Sequence, residues 1–275
     1  MRLSVFFDHI LQAREQTGAD LENLLQGVKK AKIEAVEINL DYLVNHKDVL
    51  DLLKKNGLAV SCIYEFYEMG QKKEAEKARL HIETARKAGA GRILVVPGFL
   101  VGEASKEMQE KMADREAIES FMSQNAQIVG MAEGLSYIAK LGETEGVVVT
   151  VEDFDDLNSP LSGMYGIGWF LKQIPQLRYT LDTGNYLYNG EQVLNAFNLH
   201  KEKIVHVHCK DREPGTNASV ESGKGYIPFA EIIHRLKEQN YNGYLAIEHF
   251  DVADQEGCMK RSACFLKRMC ETERI

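Results

Sequence analysis

Val147-Val148-Val149-Thr150-Val151-Glu152 is a run of β-branched residues that stops on a carboxylate. Segments of the same kind stand at 2–7, 34–40, 58–64, 92–97, 179–183, 204–209 and 244–248, each reached through a helical pattern and a Gly or small polar turn. Most recur about every thirty residues, the length of one βα unit. Between them Leu21, Leu24, Leu25 and Val28 fall at i, i+3, i+4, i+7, and Ala75, Ala78, Ile82 and Ala85 share one face of a helix over 72–88. Asp20 is placed to cap the first of these, and Asn56-Gly57, Gly89-Ala90-Gly91 and Asn242-Gly243 stop helices ahead of strands. Strict alternation predicts parallel strands, and eight of them predict closure into a single (β/α)8 TIM barrel of class α/β over residues 1–275. The interval between Pro97 and Val147 is longer than the rest. It predicts a loop or short helix at 98–114, over the barrel mouth, and then one long helix through Leu141. Gly163-Met164-Tyr165-Gly166-Ile167-Gly168 has the wrong glycine order for a dinucleotide fingerprint and reads as a helix-start turn.

Side-chain alternation assigns the polar residues of the last four strands. With Val147, Val149 and Val151 turned out toward the helices, Glu152 points into the barrel. The same parity turns Asp182, His206, His208 and Glu248 inward, and Glu152, Asp182, His208 and Glu248 fall at the carboxyl ends of their strands, where barrels of this kind carry their sites. Three carboxylates and an imidazole crowded together repel unless a cation sits among them. The set Glu152, Asp182, His208, Glu248 therefore predicts one divalent ion, Mn²⁺, Mg²⁺ or Co²⁺ by its oxygen content, with Zn²⁺ a further candidate. Glu152 and Glu248 are expected to serve as the acid/base pair as well. Lys210 and Arg212, just past the seventh strand, are expected to meet an anionic or polyhydroxylated substrate, with Asn185 bonding a hydroxyl. His206, deeper on the same face as His208, is expected to act through hydrogen bonds beside the substrate. Lys224, between Gly223 and Gly225, is placed where backbone N–H groups approach a phosphate. His9, His46, His81, His200 and His234 read as surface residues, His249 as outward-facing without a role, and Glu37 and Glu65, ending strands two and three, as structural, with lining of the barrel mouth the alternative.

Composition narrows the partners. The chain carries 33 Lys and Arg against 41 Asp and Glu, a formal net charge of −8, with signs interspersed. Such a surface repels phosphate backbones, so nucleic acid is excluded. Five cysteines without a CxxC pair predict a reduced, cytoplasmic setting, and no apolar run reaches the eighteen or so residues of a membrane span. Leu3 to Phe7 give a five-residue stretch, apolar except for Ser4, before Asp8, too short a run for a signal peptide. A homo-oligomer is compatible with all of this.

Thr150-Val151-Glu152-Asp153, Leu181-Asp182-Thr183-Gly184-Asn185, Val205-His206-Val207-His208-Cys209-Lys210-Asp211, Gly223-Lys224-Gly225-Tyr226-Ile227-Pro228-Phe229 and Gly243-Tyr244-Leu245-Ala246-Ile247-Glu248 together resemble the xylose isomerase-like TIM barrel superfamily. This is the sugar phosphate isomerase/epimerase group that also holds AP endonuclease family 2. The resemblance spans the second half in order and spacing, and it implies a metal held by the four residues that parity selects. Endonuclease IV within this group uses three zinc ions and extra histidines. Here the second strand ends Asn39-Leu40, the third Tyr64-Glu65, and the loop after the seventh reads Glu221-Ser222-Gly223, so no trinuclear site is expected. Members acting on free ketoses often carry His three residues after the sixth-strand Asp, where this chain has Asn185. The expectation is a divalent-metal-dependent isomerase or epimerase of a small sugar, sugar acid or sugar phosphate, working through an enediolate. The alternatives are a lyase or dehydratase of an inosose or dehydroshikimate type of compound, and a non-catalytic barrel subunit.

Overall fold

A computed structural model describes residues 1–272. Its strands are β1 (Arg2–Phe6), β2 (Ala35–Asn39), β3 (Ala59–Phe66), β4 (Arg92–Val96), β5 (Val148–Glu152), β6 (Arg178–Asp182), β7 (Ile204–Arg212), the two-residue β8 (Ser219–Val220) and β9 (Tyr244–Glu248). The strand order β6-β5-β4-β3-β2-β1-β9-β7, with β6 paired to β7, closes a parallel eight-strand barrel with surrounding helices; β8 adds only a short antiparallel edge to β7. The helices are α1 (Phe7–Thr17), α2 (Leu21–Lys30), α3 (Leu40–Asn45), α4 (Val49–Lys55), α5 (Ala75–Ala88), α6 (Glu103–Lys111), α7 (Arg115–Gln124), α8 (Ala126–Glu145), α9 (Met164–Gln173), α10 (Val193–His200), α11 (Phe229–Glu238) and α12 (Gln255–Glu271). Among the described residues no helix is long and apolar enough to cross a membrane.

The chain divides into two compact units, Met1–Ser61 with His206–Ile275, and Cys62–Val205. In the first, the pairings Phe6↔Glu37, Ser4↔Ala246, His208↔Ala246 and Lys210↔Glu248 put these residues on one face of the sheet. Val5, Val36, Val207, Leu245 and Ile247 take the other face, where they are fully buried. Neighbours opposite one another in a parallel ladder point the same way, so the polar residues are aligned by register. Asp20 caps α2 as expected, accepting from the Glu22 N–H at 3.0 Å.

In the second unit Tyr64↔Leu94↔Thr150 and Glu152↔Thr180 share a face. Glu65 therefore faces away from it, and its partner is Lys77 of α5 at 3.0 Å, in keeping with a structural role. The single long helix expected before β5 is two helices. Asn125 breaks it, with an extended backbone and a side chain that accepts from the Gln127 and Ile128 N–H groups. Gly146, at φ +70°, then ends α8 in the left-handed region ahead of β5. Gly163 does open a helix, α9. Gly166 and Gly168 follow because the Pro160 carbonyl and the His200 ring press against α9, leaving no room for a Cβ.

Three histidines depart from the surface reading: His9, His81 and His200 are buried, as is His249, whose outward-facing assignment burial does not contradict. The His9 and His249 rings stack at 4.9 Å, and His9 Nε2 accepts the His249 N–H at 3.0 Å. His81 uses both nitrogens, Nδ1 toward the Tyr67 hydroxyl at 3.0 Å and Nε2 toward the Ile63 carbonyl at 3.1 Å. His81 is accommodated by partners for both ring nitrogens, and His200 turns Nε2 toward the Met164 carbonyl at 2.8 Å.

Candidate metal centre and active site

β7 is longer than its sequence pattern suggested and runs on to Arg212, because Asp211 and Arg212 pair with β8. His206, His208 and Lys210 consequently lie on one continuous strand face, all buried. Lys210 is not beyond the strand but beside Glu248 in register, and its Nζ meets Glu248 Oε1 at 2.6 Å. His208 Nδ1 lies 3.3 Å from Glu248 Oε2, and its Nε2 faces both oxygens of Glu37 at 3.2 Å. His206 Nε2 meets Glu37 Oε2 at 2.8 Å. Burial alone would raise the carboxyl of Glu248, but the Lys210 ammonium beside it outweighs that and holds the group well below the ordinary carboxylate range. Glu37 shows the same balance: burial pushes it up, and His208 and His206 bring it well below the usual value.

In the other unit Glu152 and Asp182 end adjacent strands and are buried. Asp182 Oδ1 accepts from the Gly184 and Asn185 N–H groups at 2.7 and 2.9 Å, a turn that fixes the carboxylate against its own backbone. Asn185 donates its side-chain amide to the Asp153 carbonyl at 2.7 Å. Asp153, next to Glu152 but of opposite parity, receives the Tyr179 hydroxyl at 2.5 Å and the Asp182 N–H at 2.9 Å. Tyr179 in turn shares a hydroxyl contact of 2.7 Å with Tyr186. Burial raises the Asp153 carboxyl well above its usual value against these hydrogen bonds. The network ties the ends of β5 and β6 together behind the two carboxylates.

Arg212 donates to the Asn217 carbonyl at 2.9 Å. The loop carrying Lys224 is organised by Asp211: its carboxylate accepts from the N–H groups of Gly223, Gly225, Ile227 and Arg212 at 2.8, 2.9, 3.1 and 2.9 Å. The glycine N–H groups expected to meet a phosphate beside Lys224 therefore already serve a buried carboxylate. A Cβ on Gly225 would collide with the Arg212 carbonyl, so this approach requires glycine.

Glu152 and Asp182 in one unit, and His208 and Glu248 in the other, are all buried, and by residue type they are a set that could hold a metal ion. The parity reading named this set, and it fits a divalent cation by its chemistry: three hard carboxylates and one borderline imidazole, out of water. Glu37, His206 and His208 form a second such cluster.

A family model for the xylose isomerase-like TIM barrel matches residues 25–269. The chain belongs to that family. An inosose dehydratase of Clostridium beijerinckii is 26% identical over 147 residues, 43% of this chain and 45% of the relative. The chain thus spans less than half the length of that curated relative. Among solved structures, D-psicose 3-epimerase from Clostridium cellulolyticum H10 superposes with a TM-score of 0.72 at 16% identity, over 99% of this chain and 100% of that one. The probable 3-DHS dehydratase AsbF of Bacillus anthracis gives 0.70 at 15%, over 97% and 99%. At such identities these two likenesses show the fold.

In this xylose isomerase-like barrel the sequence reading missed Glu37, Asp153 and Asp211 as parts of the site's support. Glu37 was within reach, since it stands between Val36 and Ile38 with the parity of a buried inward residue. Asp153 and Asp211 carried no such signal, because what fixes them is the backbone N–H groups and hydroxyls they accept from.

Proposed function

We propose that this barrel, acting as one domain over residues 1–275, is a divalent-metal-dependent isomerase or epimerase of a small sugar, sugar acid or sugar phosphate. The observation that carries the reading is that Glu152, Asp182, His208 and Glu248, each buried at or near the carboxyl end of its strand, make a set of residues that could hold a metal ion. Mn²⁺, Mg²⁺ or Co²⁺ suits such donors, and Zn²⁺ remains within their range. When bound, the cation polarises a substrate carbonyl and makes the adjacent C–H more acidic.

The chain's own groups then move the proton. One of Glu152 and Glu248 takes it from the carbon beside the carbonyl, and the electron pair of the broken C–H bond becomes the double bond of an enediolate. Return of that proton by the same carboxylate to the neighbouring carbon shifts the carbonyl; inversion needs the opposite carboxylate to enter the step protonated, so that it protonates the other face of the carbon while the first keeps the proton it took. Lys210, in contact with Glu248, holds that carboxylate ionised and offers a donor to a substrate oxygen. Arg212 extends this positive edge. Asn185 and His206 serve through the Asp153 carbonyl and Glu37, the groups they already bond. A dehydratase reading shares the first step and differs only in expelling a β-hydroxyl; the inosose dehydratase relative favours it.

Glu152→Gln and Glu248→Gln keep shape and one oxygen ligand while removing the base, and turnover should fall about a hundredfold or more in each. Small ketoses and inosose in D₂O separate the readings: deuterium on the substrate carbon with carbon skeleton and hydroxyls intact marks the isomerase or epimerase, loss of water marks the dehydratase. A Gln variant that keeps both metal and normal exchange would remove that glutamate from the mechanism.

A further inference from the structure

Glu37 sits at the centre of β2, fully buried, opposite Phe6 in register and facing two imidazoles. A carboxylate in this setting is an acceptor only, so each ring nitrogen turned toward it carries the proton. His206 presents Nε2 at 2.8 Å and His208 presents Nε2 at 3.2 Å from each oxygen. With its proton on Nε2, a neutral His208 has a lone pair on Nδ1. That atom lies 3.3 Å from Glu248 Oε2, another acceptor. Two lone-pair donors brought this close on a rigid sheet repel each other unless a proton or a cation lies between them, and the same two residues belong to the four-residue ligand group. The edge of the Phe6 ring packs on His208 at 4.9 Å and limits its rotation.

We propose that Glu37 is a positioning residue for the metal centre: by accepting Nε2–H from both histidines it fixes His208 as the Nε2–H tautomer and presents the Nδ1 lone pair to the ion. His206 has the companion role of holding Glu37 in that orientation through the shorter of the two contacts, so it acts through Glu37 and not on the metal. A carboxylate behind a ligating imidazole also raises the basicity of the ring, and loss of such a partner typically weakens metal binding about 10- to 100-fold. The competing account of the same three residues is a second cation site. The 2.8 Å N···O separation is that of a direct hydrogen bond, which favours a proton between the atoms.

The inference rests on the metal reading of the preceding subsection, and the experiment separates the two. Metal-free protein is titrated calorimetrically with Mn²⁺, and the tautomer of His208 is read from long-range ¹H–¹⁵N spectra of the metal-free protein. Wild type should bind one ion and show His208 protonated on Nε2. Glu37→Gln should weaken Mn²⁺ binding about 10- to 100-fold at unchanged stoichiometry and lose the pure Nε2–H signature, whereas His206→Gln, which leaves the contact between Glu37 and His208, should weaken it less. Unaltered Mn²⁺ affinity in Glu37→Gln, two ions per wild-type chain, or a His208 proton on Nδ1 in the wild type would each overturn the proposal. A wild type that binds no Mn²⁺ but keeps the His208 proton on Nε2 refutes the metal reading and leaves Glu37 fixing the tautomer; no Mn²⁺ binding with the proton on Nδ1 refutes both.

Discussion

Asp211→Asn tests how the loop beyond β7 is held. In the wild type one carboxylate oxygen serves the Arg212 and Ile227 N–H groups and the other serves those of Gly223 and Gly225. Asparagine keeps one oxygen but turns an NH₂ toward two N–H donors on the other side, so two charge-assisted bonds are lost and two buried donors are stranded. At about 1.5–3 kcal/mol for each hydrogen bond to a charged group, the change spans about 3–6 kcal/mol. Burying an amide in place of a charge recovers part of this, which places the expected loss near the lower figure, about 3 kcal/mol. The loss should appear first as local opening, because residues 221–222 have other anchors: the Ser222 N–H on Ser262 Oγ at 3.0 Å and Glu221 on Arg261 at 2.5 Å. The Tyr226 N–H also bonds the Arg212 carbonyl, so an open loop loosens Arg212 and raises KM for an anionic or polyhydroxylated substrate more than it lowers kcat. Urea unfolding gives the global term, and limited proteolysis within 213–227 gives the local one. A stability change under about 0.5 kcal/mol, the scale of an uninvolved surface substitution, together with unchanged proteolysis would refute the clamp.

Asp182→Ala removes a ligand whose orientation is fixed by two backbone N–H groups, and elemental analysis should find the divalent ion lost; full occupancy in that variant would break the ligand assignment. His81, lowered to about 3 by burial, must stay neutral to keep its bonds to Tyr67 and Ile63, so it contributes stability that is present above about pH 6.5 and lost as pH falls toward 3. The slope is about 1.4 kcal/mol per pH unit, and thermal unfolding against pH should be flatter over that window for His81→Gln, with parallel curves counting against the burial argument.

The second half of the barrel was legible because β-strand parity and apolar flanks assign a face residue by residue. Val149 and Val151 around Thr150, Leu181 before Asp182, Val207 between His206 and His208, and Ile247 before Glu248 each leave one reading. Helix breaks were less legible. Asn125 divides a continuous apolar pattern with a cap that depends on local backbone angles, not on hydrophobic spacing. The buried histidines were misread for a related reason: periodicity ranks imidazole as polar, whereas His81 and His9 are accommodated by partners far away in sequence, at Ile63 and His249. The extent of β7 was hidden as well, because the charged Lys210-Asp211-Arg212 looks like a loop until Lys210 finds Glu248 and Asp211 finds its N–H donors.

The placement of Glu37 alters the charge argument on which the metal reading rests. Parity alone offers a cation three carboxylates and an imidazole, and those charges do not by themselves distinguish a monovalent from a divalent ion. With Lys210 on Glu248, one positive charge is already present in the protein. In the proposed centre a divalent ion together with that ammonium would balance Glu152, Asp182 and Glu248, while a monovalent ion would leave one negative charge uncompensated. The remaining buried carboxylate of this cluster, Glu37, needs no ion in this account because two imidazole N–H groups solvate it. On the proposed reading the two clusters differ in chemistry although they share His208: one would take a cation, and the other would aim the imidazole that both contain.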